Sequence, residues 1–216
     1  MELVTHKKLY LVAGRASLPL AEEIAAELGE ELGEPNLAEF ANGEIHCRFA
    51  ESIRGCDAFI IQSHSNFEES SINDTLMEQL IMVDAARRAS AKRITAVCPH
   101  YAYARQDRKS SGREPITAKL VANMFAAAGA SRLVSVDLHS GQIQGFFDGP
   151  VDHLTAMPVI TDYLTGLEGD LVIVSPDAGR VKVAERYANL LEADLAIIHK
   201  RRSSTTFNTV EAKEVV

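Results

Sequence analysis

The sequence is short of positive charge. Its 22 Lys and Arg face 30 Asp and Glu over 216 residues, a formal net charge of −8. That balance excludes a general binder of nucleic-acid backbones, while leaving room for a local basic site that holds a small anion. Cysteine is also sparse. Cys47, Cys56 and Cys98 are odd in number, lie in or beside apolar runs and show no CxxC spacing, which argues against a zinc site. They read as reduced, mostly buried thiols of a cytosolic protein. No basic-then-apolar leader is present, and no apolar run approaches the ~18 residues needed to span a bilayer. A soluble, cytoplasmic protein is expected, with neither nucleic acid nor membrane as partner. GxxxxGK[ST] and GxGxxG are missing too, so neither a P-loop enzyme nor a dinucleotide-binding protein is indicated.

What is present is an ordinary globular composition, 46% hydrophobic and 24% charged, patterned as alternating strands and helices. Strands are expected over Lys8 to Ala13, Asp57 to Gln62, Arg93 to Cys98, Arg132 to Val136, Leu171 to Val174 and Leu195 to Ile198. Helices are expected to start near Ser17, with the stripe Leu20, Ile24, Ala25, Leu28, and over Asn73 to Ala89, Ile116 to Ala128, Pro158 to Leu164 and Val181 to Leu191. Between Leu37 and Phe49, Asn42-Gly43 predicts a two-residue hairpin turn. This alternation means α/β architecture with doubly wound parallel sheets, in two similar domains, residues 1–150 and 151–216.

Four stretches carry chemistry. The strand Arg132 to Val136 runs into Asp137-Leu138-His139, which puts a carboxylate and an imidazole at the strand's carboxyl end, where open α/β sheets bind ligands. Tyr101 to Arg113 follows another strand and holds Arg105, Arg108, Lys109 and Arg113 with two tyrosines, suited to polyphosphate and to stacking on a base; a solvated loop is the alternative. Ser175-Pro-Asp177-Ala-Gly179 again sets an acid after an apolar strand. Asp177 is either a partner of His139 at a metal-bound phosphate or a helix N-cap. Lys200-Arg201-Arg202 opens a Ser/Thr-rich stretch, and a mobile basic loop can stabilise a transferring phosphoryl group. Arg201 to Asn208 is expected to be mobile without ligand.

Together FANGE (Phe40 to Glu44), ESIRGCD (Glu51 to Asp57), NDTLMEQLIMVDA (Asn73 to Ala85), YARQDRK (Tyr103 to Lys109), REPITAKLVANM (Arg113 to Met124), VDLHSGQIQGFFDGPVDHL (Val136 to Leu154), SPDAG and HKRR (His199 to Arg202) resemble the ribose-phosphate diphosphokinase family. The resemblance runs along nearly the whole chain. It implies two phosphoribosyltransferase-like domains, the second incomplete. The implied reaction moves the diphosphoryl group of Mg2+-ATP to the anomeric hydroxyl of ribose 5-phosphate, giving 5-phosphoribosyl diphosphate and AMP.

The resemblance also assigns roles. Phe40, Asn42 and Glu44 hold adenine from a neighbouring subunit, while Arg105 and Gln106 contact the nucleotide. His139 and Asp177 organise Mg2+ and substrate, Lys200 and Arg202 are the catalytic loop cations, and Ser52 and Arg54 fall at an allosteric phosphate site. A shared site requires a homo-oligomer, in this family a hexamer built from dimers. Asn42 stands where many members carry Asp, and its carbonyl still accepts from an adenine amino group. Family members continue past the position of Val216 into a Thr/Gly-rich loop around the ribose 5-phosphate. Two other readings are a non-catalytic subunit that modulates a longer synthetase, favoured by that missing loop, and the weaker one of a nucleobase phosphoribosyltransferase. The charged pocket residues favour the enzyme.

Overall fold

The computed structural model describes residues 8–167, 169–202 and 210–215, with side chains up to residue 198. It falls into two compact units, the first ending at Leu154 and the second beginning at Thr155. In the first, β1 (Leu9–Ala13) leads through a 3-10 turn (Arg15–Ser17) into α1 (Leu18–Leu28), β2 (Leu32–Gly33), β3 (Pro35–Glu39) and β4 (Ile45–Phe49). Then come β5 (Asp57–Ile61), α2 (Ile72–Arg88), β6 (Arg93–Cys98), α3 (Thr117–Ala128), β7 (Arg132–Val136), a second 3-10 turn (Gly141–Phe146) and β8 (Val151–Leu154).

Six strands form one sheet in the order β2-β1-β5-β6-β7-β8, and every pairing in it is parallel. Parallel sheets need cover on both faces, and their strands are accordingly apolar in near-continuous runs. On one face Val12, Ile60, Ala96 and Leu133 pack with Met82, Val83 and Ala86 of α2 and Val121 and Phe125 of α3. Ala13 and Ile61 meet Ala21 of α1 in a separate cluster. The buried face of α1 is Ala21 and Ala25, rotated from the expected stripe, since Leu20 and Leu28 are exposed. Small residues there let the helix approach the sheet closely.

α2 owes its sharp start to a capping box: Ser71 Oγ accepts from the Asn73 and Asp74 N–H groups, and the Asp74 carboxylate accepts from Ser71 N–H at 2.8 Å. α3 ends at Gly129, whose φ of +118° suits a residue without Cβ.

Two expectations change. The β3–β4 hairpin has a three-residue loop: Phe40 N–H donates to Glu44 O at 2.9 Å and Gly43 N–H to Phe40 O at 2.8 Å, with Gly43 at φ +86°. This is a type I turn completed by a left-handed glycine, the other turn that Asn-Gly serves well. And β8, not expected as a strand, pairs with β7, so the residues after Pro150 extend the first sheet before the second unit begins.

The second unit contains α4 (Met157–Thr165), β9 (Val172–Ser175), a 3-10 turn (Ala178–Arg180), α5 (Val181–Leu191), β10 (Asp194–Arg202) and β11 (Val210–Val215). β9 and β10 are parallel, whereas β11 returns antiparallel to β10, so this sheet is mixed. Arg201 and Arg202, expected in a mobile stretch, end β10; the rest of that stretch, residues 203–208, lies outside the described residues.

Candidate active site

Because the first sheet is all parallel, its carboxyl ends lie along one edge. The strand order reverses between β1 and β5, the arrangement that opens a crevice in such folds. Gly14 and Arg15 follow β1 there, Gln62 to His64 follow β5, His100 to Lys109 follow β6, and Asp137 to Gln142 follow β7.

Buried polar side chains hold these loops. Gln79 of α2 donates to Ile60 O at 2.8 Å and Val97 O at 2.9 Å, bridging the ends of β5 and β6. Its Oε1 lies 2.7 Å from His64 Nε2. His64 Nδ1 in turn accepts from Ala102 N–H at 2.9 Å, so the imidazole is the neutral Nε2–H tautomer. The ring stacks on Phe125, centroids 5.8 Å apart. Burial pushes its pKa down to about 4, against the opposing hydrogen bond to Gln79. Beside it, Glu78 accepts from Arg15 N–H at 2.8 Å, Arg15 Nε at 2.5 Å and Gln62 Nε2 at 2.8 Å.

The loop after β6 is thereby pinned at its base while its tip stays open. Gln106 N–H donates to Tyr103 O at 2.8 Å and Gln106 O accepts from Ala118 N–H at 3.2 Å at the start of α3. The Gln106 side-chain carbonyl accepts from Thr117 Oγ1 at 2.5 Å. Arg105 is exposed, as are Arg108 and Lys109. Tyr103 sits at φ +59°, an unfavourable backbone region for an aromatic residue, with its hydroxyl bonded to Asn73.

Asp107, which reading the sequence overlooked, is the centre of this edge. Its side chain is 4% exposed, and Oδ2 accepts from Ser140 Oγ at 2.5 Å and Gln142 Nε2 at 2.8 Å. Burial opposes its charge, but the bonds from Ser140 and its own backbone N–H, together with nearby His139 and Arg108, hold the carboxyl below its usual range. Oδ1 lies 3.7 Å from His139 Nδ1. The available signal was a lone acid between Arg105-Gln106 and Arg108-Lys109. His139 and the loop after β6 are thus joined.

The other expected residues fall elsewhere. Phe40, Asn42 and Glu44 are exposed on the hairpin loop, where Asn42 Oδ1 accepts from Glu44 N–H at 3.3 Å. Among the described residues no hydrogen bond or ion pair links them to the loop after β6; the nearest tether is Arg15 Nη1 to Glu39 at 3.5 Å. Ser52 and Arg54 precede β5 and so lie at the opposite, amino edge of the sheet, both exposed. Asp177 sits at the carboxyl end of β9 in the second unit and caps the turn after it, accepting from Gly179 N–H at 3.0 Å. The backbone of Lys200 and Arg202 belongs to β10, with a bulge between His199 and Lys200, but their side chains lie outside those described.

Among the described residues no three His, Cys, Asp or Glu side chains gather as a metal cage, and no helix is long and apolar enough to cross a membrane. The three cysteines are unpaired.

Comparison with known proteins agrees with this geometry. Residues 9–129 match the N-terminal domain of ribose phosphate pyrophosphokinase. The chain is 56% identical to a ribose-phosphate pyrophosphokinase of Corynebacterium efficiens over 214 residues, 98% of this chain and 65% of that protein. With the enzyme of that name from Streptomyces avermitilis identity is 54% over 213 residues, 97% of this chain and 64% of the other. The chain thus spans about 65% of the length of such relatives. The crystal structure of phosphoribosylpyrophosphate synthetase from Mycobacterium smegmatis superimposes with a TM-score of 0.85 at 53% identity, covering 96% of this chain and 67% of that one. A matched domain, identity sustained along the chain and a shared fold lead to one conclusion: the chain belongs to the ribose-phosphate pyrophosphokinase family.

Proposed function

We propose that this protein transfers the β,γ-diphosphoryl group of ATP to ribose 5-phosphate. The observation that carries the reading, beyond family membership, is the pinned loop from Tyr101 to Lys109. It presents Arg105, Arg108 and Lys109 at the ligand edge and is locked through Asp107 to the loop that bears His139.

In the reaction the anomeric hydroxyl oxygen of ribose 5-phosphate bonds to the β-phosphorus. The bond from that phosphorus to the α,β-bridging oxygen breaks, AMP leaves with the oxygen, and the hydroxyl proton passes to solvent. The protein's task is to bind, align and neutralise charge. Arg105 and Gln106 hold the nucleotide, with Phe40, Asn42 and Glu44 supplied by a neighbouring subunit of a homo-oligomer, a hexamer built from dimers. Lys200 and Arg202 stabilise the transferring group. Ser52 and Arg54, on the other edge of the sheet, suit a separate regulatory phosphate.

The donors present fit magnesium that arrives on phosphates. One exposed imidazole, and one carboxylate in the second unit, are too few for a cage and suited to an ion keeping its waters. His139 and Asp177 would hold it, and it would neutralise charge on the β- and γ-phosphates. A soluble cytoplasmic protein is the setting that fits these substrates and unpaired cysteines.

The test is AMP release by the purified chain with magnesium and ATP, with and without ribose 5-phosphate, beside a Lys200→Ala control. Ribose-dependent AMP that vanishes in the control supports the reading. ATP binding without AMP release would favour a regulatory subunit.

A further inference from the structure

Asp107 divides its two oxygens. Oδ2 takes the Ser140 hydroxyl at 2.5 Å and the Gln142 amide at 2.8 Å, while Oδ1 faces His139 Nδ1 at 3.7 Å. A carboxylate with 4% of its side chain exposed cannot serve as a ligand without leaving the protein interior, and burying its charge is tolerable only because Ser140 and Gln142 donate to it. Its bonds reach across sequence, from the loop after β6 to the loop after β7, so they fix the second loop's backbone against the first.

That second loop is held from its other side as well. His153, at the end of β8, accepts from Leu138 N–H through Nε2 at 2.9 Å, and Asp137 N–H donates to Leu154 O at 2.9 Å. Asp137 is kept at φ +45°, a left-handed conformation that surrounding bonds must maintain. His139 projects from a segment clamped at both ends, yet its own side chain is 42% exposed. The imidazole has a fixed base, one edge against a buried anion and the remainder in the open.

We infer that Asp107 is a positioning residue, whose carboxylate holds His139 as the Nδ1–H tautomer and leaves the Nε2 lone pair for a divalent cation carried by the nucleotide. A carboxylate behind a ligating imidazole is the common means of fixing both the tautomer and the ring orientation. The separation of 3.7 Å is longer than a hydrogen bond, and a shift of the ring by less than ~1 Å makes it one. Ligand-free sites commonly tighten in this way. The inference rests on the proposed role of His139 but concerns a different residue.

The test joins a two-bond 1H–15N spectrum of the chain labelled in histidine with the dissociation constant for Mn2+-ATP, read by electron paramagnetic resonance. The wild-type spectrum is expected to show His139 as the Nδ1–H tautomer, assigned with His139→Ala. Asp107→Asn is expected to lose that preference and to weaken Mn2+-ATP about 10- to 100-fold. Ser140→Ala, which keeps the carboxylate, is expected to retain the tautomer. An Nε2–H tautomer in the wild type overturns the inference without recourse to Asp107→Asn, so poor folding of that variant would not rescue it. Unchanged tautomer and affinity in a folded Asp107→Asn overturn it as well. If His139→Ala binds Mn2+-ATP normally, the metal role of His139 fails and takes this inference with it, whereas the spectrum alone tells that failure from a failure of Asp107.

Discussion

Acidification should unfasten this protein at His64. The ring is fully buried, its Nδ1 accepts from Ala102 N–H and its pKa is about 4 against an ordinary 6.5. Below pH 6.5 the unfolded chain binds a proton at this histidine and the folded chain does not. Stability therefore rises with pH between about 4 and 6.5, is fully present above 6.5, and is lost as pH falls through that window. The whole shift corresponds to about 3 kcal/mol, of which about 2 kcal/mol is gone by pH 5. The carboxyls of Asp74, Asp107 and Glu114 are held low, so their losses come at still lower pH.

Urea unfolding at pH 7.5, 6 and 5, followed by far-ultraviolet circular dichroism, reads the effect directly. His64→Gln removes the titration, at a cost of about 2 to 4 kcal/mol from the lost stacking and the orphaned Ala102 N–H. Its stability should be nearly flat from pH 7.5 to 5. An equal slope in wild type and variant would refute the assignment and move the titrating group elsewhere.

Gly14→Ala places a Cβ 2.5 Å from the Gln62 side chain, forcing it off Glu78, and should lower stability by about 1 to 3 kcal/mol, read as a urea midpoint. Arg15→Ala strips Glu78, whose side chain is 2% exposed, of a partner that is itself 37% exposed. It should cost about 2 kcal/mol, and much less in a Glu78→Gln background, in a double-mutant cycle. Ser71→Ala removes the capping box of α2 and should cost about 1 kcal/mol in the same assay. Phe40→Ala alters a residue 56% exposed, so stability should hold within about 0.5 kcal/mol while ATP affinity, by equilibrium dialysis, falls about tenfold through lost stacking.

The regular part of the fold was open to reading because a buried parallel strand writes itself as an apolar run. β6 and β7 coincide with Arg93 to Cys98 and Arg132 to Val136. β8 was hidden because Val151-Asp152-His153-Leu154 is short, follows Pro150 and shows neither an apolar run nor alternation, so only its pairing with β7 makes it a strand. The hairpin turn was misjudged for a related reason: Asn-Gly serves two loop lengths, and the register Glu39 to Ile45 decides between them. At the site, the motifs pointed to His139 and Arg105 through their place at strand ends. Asp107 stayed invisible because its importance lies in partners 33 and 35 residues away, a relation that no local pattern encodes. Asp177 illustrates the reverse: its position looked chemical, and in the structure it also does the work of a cap.

The Gln79–His64 pairing has a further consequence, for motion. Where β5 and β6 part, the carbonyls of Ile60 and Val97 and the amide of Ala102 meet side chains in the interior. Loop backbone in such a position ordinarily trades its amide protons with solvent within seconds. Here the Ala102 amide can do so only when the whole cluster of α2 and the two strand ends opens, so its deuterium uptake should keep pace with the strands. By that measure the base of the loop after β6 belongs to the core, whereas Arg105, Arg108 and Lys109 at its tip stand exposed to solvent.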